Sequence, residues 1–169
     1  MEKQNGLEKF MIDRLESSEK NLYTILDTAV DDNIYPKLSE FDIEGVCLYR
    51  GQQAKNLAEV APYLVKLQID DPFTEWLLSN AEGKNWGIYV ESDADLDELK
   101  KHFRELLMAY TEEGKLVWFR FYDPRVLRIY LPTCNDEELR AMFGPVHCFC
   151  IEDENGNLCN NFLKKDERC

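Results

Sequence analysis

Along this chain, short runs of aliphatic, aromatic and β-branched residues alternate with segments that open on a helix-capping residue and then place apolar residues three or four positions apart. That alternation restricts the fold more than any other feature. Strands that alternate with helices bury both kinds of apolar face when helices cover a sheet. LYTIL reads as a strand ending at Asp27, followed by a helix around Ile34 to Leu38 despite Pro36. EGVCLYRG reads as a second buried strand closed by Gly51, QQAKNLAEVA as a loop, and APYLVKLQ as a third strand. In IDDPFTEWLLSNAEG, Asp71 caps a helix, Pro72 suits its first turn, and Gly83 can end it.

NWGIYVES is the fourth strand, and Leu96, Leu99, Phe103 and Leu107 mark an amphipathic helix with acidic residues in its first turn. LVWFRFY reads as a strand running into the helix DPRVLRIYL, NDEELRAMF as a helix capped by Asn135 with Glu138 three residues on, and PVHCFCIED as a last strand. The fold class is α/β: a single domain with a mixed β-sheet flanked by helices, since several connections are too short or irregular for uniform right-handed crossovers. Residues 1–20 read as an N-terminal helix or arm, with Phe10, Met11 and Leu15 at helical spacing. Residues 21–151 form the domain, and residues 152–169 a polar tail or edge hairpin.

A formal net charge of -13 over 169 residues repels a phosphate backbone, so nucleic acid is not an expected partner. Acidity of this size serves solubility, and it also favours encounter with basic polypeptide. The N-terminus lacks the apolar core of a signal peptide, and no run is long enough to cross a bilayer. The expected location is the cytoplasm, with the six cysteines as reduced thiols.

Chemical motifs are sparse. Neither a Walker pattern nor GxGxxG occurs, so no nucleotide cofactor is expected. Only His102 and His147 are available to build a catalytic triad, and His102 sits inside the amphipathic helix. The sequence HCFC brings His147, Cys148 and Cys150 together, but CxC is not the usual zinc spacing. A buried strand with both thiols on one face is the better reading, and no metal is expected. Paired carboxylates at Asp31 and Asp32, Asp70 and Asp71, and Asp93 and Asp95 lie at turns and helix starts, where aspartate caps.

The most unusual stretch is VWFRFYDPRV. As a strand it would put Val117, Phe119 and Phe121 on one face and Trp118, Arg120 and Tyr122 on the other, with Arg120 held between two aromatics. Asp123 then caps a helix that begins at Pro124. Arg125 emerges at the positive end of that helix and requires a carboxylate, for which Asp27 at the end of another strand is the candidate. The expected result is an arginine–carboxylate network at one edge of the sheet.

LYTILDTA, the acidic helix with Ile34 and Tyr35, CLYRG, AEVAPYLVKL, PFTEWLL, NWGIYVESDADLDELKKHFRELL, FRFYDPRVLRIYLPTC and FGPV follow one another in this order. In these motifs the chain resembles the adaptor–chaperone domain of bacterial type VI secretion systems, from about Asn21 to Cys150. The resemblance implies a non-enzymatic protein that binds a secreted effector and promotes its loading onto the valine–glycine-repeat spike protein. It brings no catalytic residues. Exposed aromatics beside arginine are the usual anchors of client surfaces, which singles out Trp86, Trp118, Arg120, Tyr122 and Arg125 as partner-binding candidates, with Asp27 and Asp123 as their structural network. The alternative is an immunity-type inhibitor, which would hold a toxin by its catalytic domain.

Overall fold

The period of two in NLYTILD divides its side chains between two cores. Tyr23 and Ile25 enter one, and Leu22 and Leu26 enter the other. A computed structural model describes residues 5–163 and shows how the rest of the chain covers both faces of this strand. Within them the strands are β1 (Asn21–Asp27), β2 (Gly45–Cys47), β3 (Pro62–Leu67), β4 (Gly87–Ser92), β5 (Met108–Tyr110), β6 (Leu116–Trp118), β7 (Val146–Glu152) and β8 (Leu158–Phe162). The helices are α1 (Gly6–Ser17), α2 (Ile34–Glu40), α3 (Gly51–Asn56), α4 (Pro72–Asn80), α5 (Leu96–Leu106), α6 (Pro124–Tyr130) and α7 (Asp136–Phe143).

Six strands form one sheet in the order β2-β3-β1-β4-β7-β8, and β5 and β6 form a separate hairpin. Helices α5, α6 and α7 close one face through Leu99, Phe103, Leu127, Met142 and Phe143. Helices α1, α2 and α4 close the other through Leu7, Met11, Ile34, Leu38, Phe73 and Leu77. The expected single α/β domain is thus a sheet between two helical layers. Every pairing in the sheet is antiparallel, however, so its strands are not mixed in direction. The helices pack over the sheet as covers, without crossovers between parallel neighbours.

The capping chemistry reads directly from the residues. Asp71, Asp95 and Asp123 each accept a backbone N–H of their own helix, and Asn135 with Glu138 forms a complete capping box. Residues 6–17 are a helix docked on α4, with Leu7 and Met11 in the core. Residues 158–162 are the edge strand of a hairpin with β7.

Three local expectations change. The second strand is short and lies at the sheet edge, so of EGVCLYRG only Leu48 is fully buried. The segment expected as a loop holds α3 and a 3₁₀ turn at Ala58–Val60. The strand expected over LVWFRFY stops at Trp118, because β6 pairs only with β5 and has no neighbour to extend its ladder. The backbone then turns so that Phe121 and Tyr122, one residue apart, are both buried. No helix among the described residues is long and apolar enough to cross a membrane. Cys47, Cys134, Cys148, Cys150 and Cys159 are free thiols, and Cys169 lies outside the described residues.

Candidate functional site

The C-terminal end of β1 delivers Asp27 to a point where the chain after β6 passes. Asp27 is 2% exposed, and its backbone N–H is donated to the carbonyl of Trp86 at 2.8 Å. Its Oδ1 accepts the N–H of Ala29 at 3.0 Å, and its Oδ2 accepts a hydrogen bond from the Arg120 guanidinium. Burying a carboxylate costs several kcal/mol unless charge and hydrogen bonds compensate it, which is the order expected for an uncompensated ion. Here a cation and a peptide N–H do so.

Asp123 sits next to this pair. It caps α6 through the N–H of Arg125 at 2.9 Å, and Arg125 returns to the same carboxylate as a fork, Nε to Oδ1 at 3.0 Å and Nη2 to Oδ2 at 2.8 Å. Arg120 Nη2 is 3.8 Å from the same Oδ2. Burial pushes the Asp123 carboxyl up, but the hydrogen bonds and charge of Arg125, with Arg120 beyond, outweigh it and hold the group below the usual carboxylate range. The hydrogen bond to Asp27 outweighs desolvation in turn and raises Arg120 further above its ordinary value.

The expected network exists with its partners exchanged. Arg125 takes the carboxylate two residues before it, because a helix-start side chain folds back easily onto its own cap. Asp27 is taken by Arg120. The network stands at the end of a central strand.

Beside it opens a cleft of about 340 Å³ lined by Asp27, Ala29, Tyr49, Gln53, Leu57, Val60, Trp118, Phe119, Arg120 and Tyr122. A second recess, of about 290 Å³, shares Tyr49, Gln53 and Trp118 with the first. The Trp118 ring packs at 5.6 Å on Tyr49 yet remains 54% exposed. Leu57 and Val60 are exposed on the same cleft. In the β5–β6 hairpin Met108 stands opposite Trp118 and Tyr110 opposite Leu116, so these four side chains share one face. Tyr110 and Leu116 are exposed too, and an apolar strip continues from the hairpin into the cleft. Leu57, Val60, Tyr110 and Leu116 were missed by reading the sequence. The alternation of β5 with β6 carries the signal for the last two.

The partner-binding candidates therefore separate. Trp118 and Arg120 line the cleft, and Arg120 is half exposed. Tyr122 also lines it but is 5% exposed, and burial pushes its hydroxyl well above the ordinary tyrosine range. Arg125 is exposed behind Asp123. Trp86 stands apart from the cleft, buried in the opposite core layer, stacked on Trp76 at 5.4 Å with Lys84 Nζ 4.8 Å from its ring. His102 is tied to the carbonyl of Met142 at 2.9 Å, and burial depresses its pKa. Cys148 and Cys150 share the inner face of β7 with their Sγ atoms 3.8 Å apart, and Asn160 of β8 accepts from Cys150 at 3.1 Å.

No curated protein and no solved structure matches this chain. The profile of one family does match, over residues 22–141, and the match contains Asp27, the Trp118 cleft, Arg120, Asp123 and Arg125. With more than half of its length covered, the chain belongs to the family described as Domain of unknown function (DUF4123).

Proposed function

We propose that this protein is a non-enzymatic adaptor of a type VI secretion system, which binds a secreted effector and promotes its loading onto the valine–glycine-repeat spike protein. The observation that carries the reading is the exposed apolar strip of Tyr110, Leu116, Trp118, Leu57 and Val60 beside a half-exposed arginine. Exposed aromatic and arginine side chains in a cleft are the typical energetic centre of a protein-binding surface. Asp27 and Asp123 are already engaged by arginine and backbone N–H groups, which suits them to holding Arg120 and Arg125 in place. The order of motifs from LYTILDTA to FGPV supports the same reading by resemblance.

The test is affinity purification of the tagged protein from its native cell, with mass spectrometry and truncated versions of any toxin recovered. Recovery of the spike protein together with an effector bound outside its catalytic domain, and loss of that effector with Trp118→Ala, is the expected result. A toxin held by its catalytic domain without a spike protein would instead identify an immunity-type inhibitor.

A further inference from the structure

A second surface lies on the opposite helical layer, between α1 and α4. Ile12 and Leu15 of α1, Ile69 of the β3–α4 loop and Leu78 of α4 form an apolar floor in a groove of about 130 Å³. Ile69 is left 46% exposed there. Around that floor stand Glu8, Glu16, Asp70 and Glu75, with no lysine or arginine in the lining. Among the described residues these four carboxylates enter no ion pair, whereas Glu40, Glu44, Glu91, Asp93 and Asp97 all do. Helix α1 lies before residue 22, outside the residues that match the family. The groove is thus built partly from an element additional to the matched region.

From this we infer that the α1–α4 groove docks a basic amphipathic helical segment of another protein, one aliphatic side chain entering the floor while lysines or arginines meet the acidic rim. Charge selects the occupant. A second copy would bring the same acidic rim and a net charge of -13, so like charges would oppose it. The lining belongs to two helices and a loop, and β3 is already paired on both sides, so strand addition finds no free backbone here. An apolar anchor ringed by complementary charge is the helix-in-groove mode of recognition. This surface is independent of the Trp118 cleft, and its test succeeds or fails without reference to the secretion role.

The experiment measures binding of the full-length protein to a fluorescein-labelled amphipathic lysine–leucine helix and to a glutamate–leucine helix with the same apolar face, by fluorescence anisotropy. The lysine–leucine peptide is expected to bind and the glutamate–leucine peptide not to. Glu16→Lys with Glu75→Lys, and separately Ile69→Asp, should each weaken binding by about tenfold or more, as loss of an anchor or its charge ring does. Glu112→Lys with Glu113→Lys makes the same change in net charge on the β5–β6 turn and should change affinity less than about twofold. Circular dichroism melts establish that each variant is folded. Equal weakening by the two lysine pairs would overturn the inference by showing only general attraction to an acidic protein. So would a dimer in sedimentation that Ile69→Asp dissolves, because the groove would then serve a second copy.

Discussion

Arg120 donates a hydrogen bond to the buried carboxylate of Asp27 across 93 residues of sequence, tying the connection after β6 to the end of β1. The pair closes one wall of the Trp118 cleft, so the same contact that stabilises the fold also shapes the candidate surface.

Removing either partner should destabilise the protein, and unequally. Asp27→Ala deletes the acceptor of both Ala29 and Arg120 but leaves Arg120 partly in water. Arg120→Ala leaves a buried carboxylate with only one N–H. We expect losses of about 1–2 kcal/mol for Asp27→Ala and about 2–3 kcal/mol for Arg120→Ala in urea denaturation. A double-mutant cycle should show positive coupling, and additive losses would mean that the pair does not act as a unit.

Asp123 makes stability depend on pH. Its folded pKa lies below its unfolded value of about 3.9, so its contribution is complete above that value and lost as pH falls through the folded pKa. Asp123→Asn keeps the capping oxygen but loses the charged fork to Arg125, and should cost about 1–2 kcal/mol near neutral pH. The gap between wild type and variant, followed from about pH 7 to about pH 3, should narrow below about pH 4. A constant gap would assign the loss to geometry and not to charge.

Gly87 is required by backbone proximity. A Cβ there would stand 2.0 Å from the carbonyl oxygen of Ile25, in the strand it pairs with. Gly87→Ala should therefore push β4 from β1 and cost about 3 kcal/mol or more, read as a lowered melting temperature. Near wild-type stability would show that the two strands part easily at this point.

Two tryptophans should separate folding from recognition. Trp86→Ala empties a site in the core beside Trp76 and should cost about 3–5 kcal/mol. Trp118→Ala should cost less than about 1 kcal/mol, because the ring is already half in water. Under the proposed function it should also abolish effector capture. Capture unchanged in a folded Trp118→Ala protein would move the client surface elsewhere.

The starts of α4, α6 and α7 were legible because their chemistry is local. Asp71 and Asp123 precede Pro72 and Pro124, and Asn135 precedes Glu138 at capping-box spacing, so each helix start is written within four residues. The strand LVWFRFY was misread because alternation assumes a neighbour to pair with. Past Trp118 the hairpin offers none, and Phe121 and Tyr122 turn inward together. The acidic residues of α1 and α4 were visible one by one, but nothing local indicates that Glu8 and Glu75 border the same apolar floor.

By itself, the order of residues determined that this chain forms a layered α/β domain, where the capped helices α4, α5, α6 and α7 start, and that Asp27, Asp123 and the nearby arginines form a charged network. Those features follow from short-range periodicity and capping, together with the cost of leaving charges unpaired in an apolar neighbourhood. Tertiary structure alone decided that all strand pairs are antiparallel, that Asp27 takes Arg120 while Arg125 turns to Asp123, and that Trp118 stays in water while Trp86 does not. The physical reason is that pairing direction, ion-pair choice and exposure depend on which distant segments pack together. Contacts separated by dozens of residues carry no periodic signal along the chain.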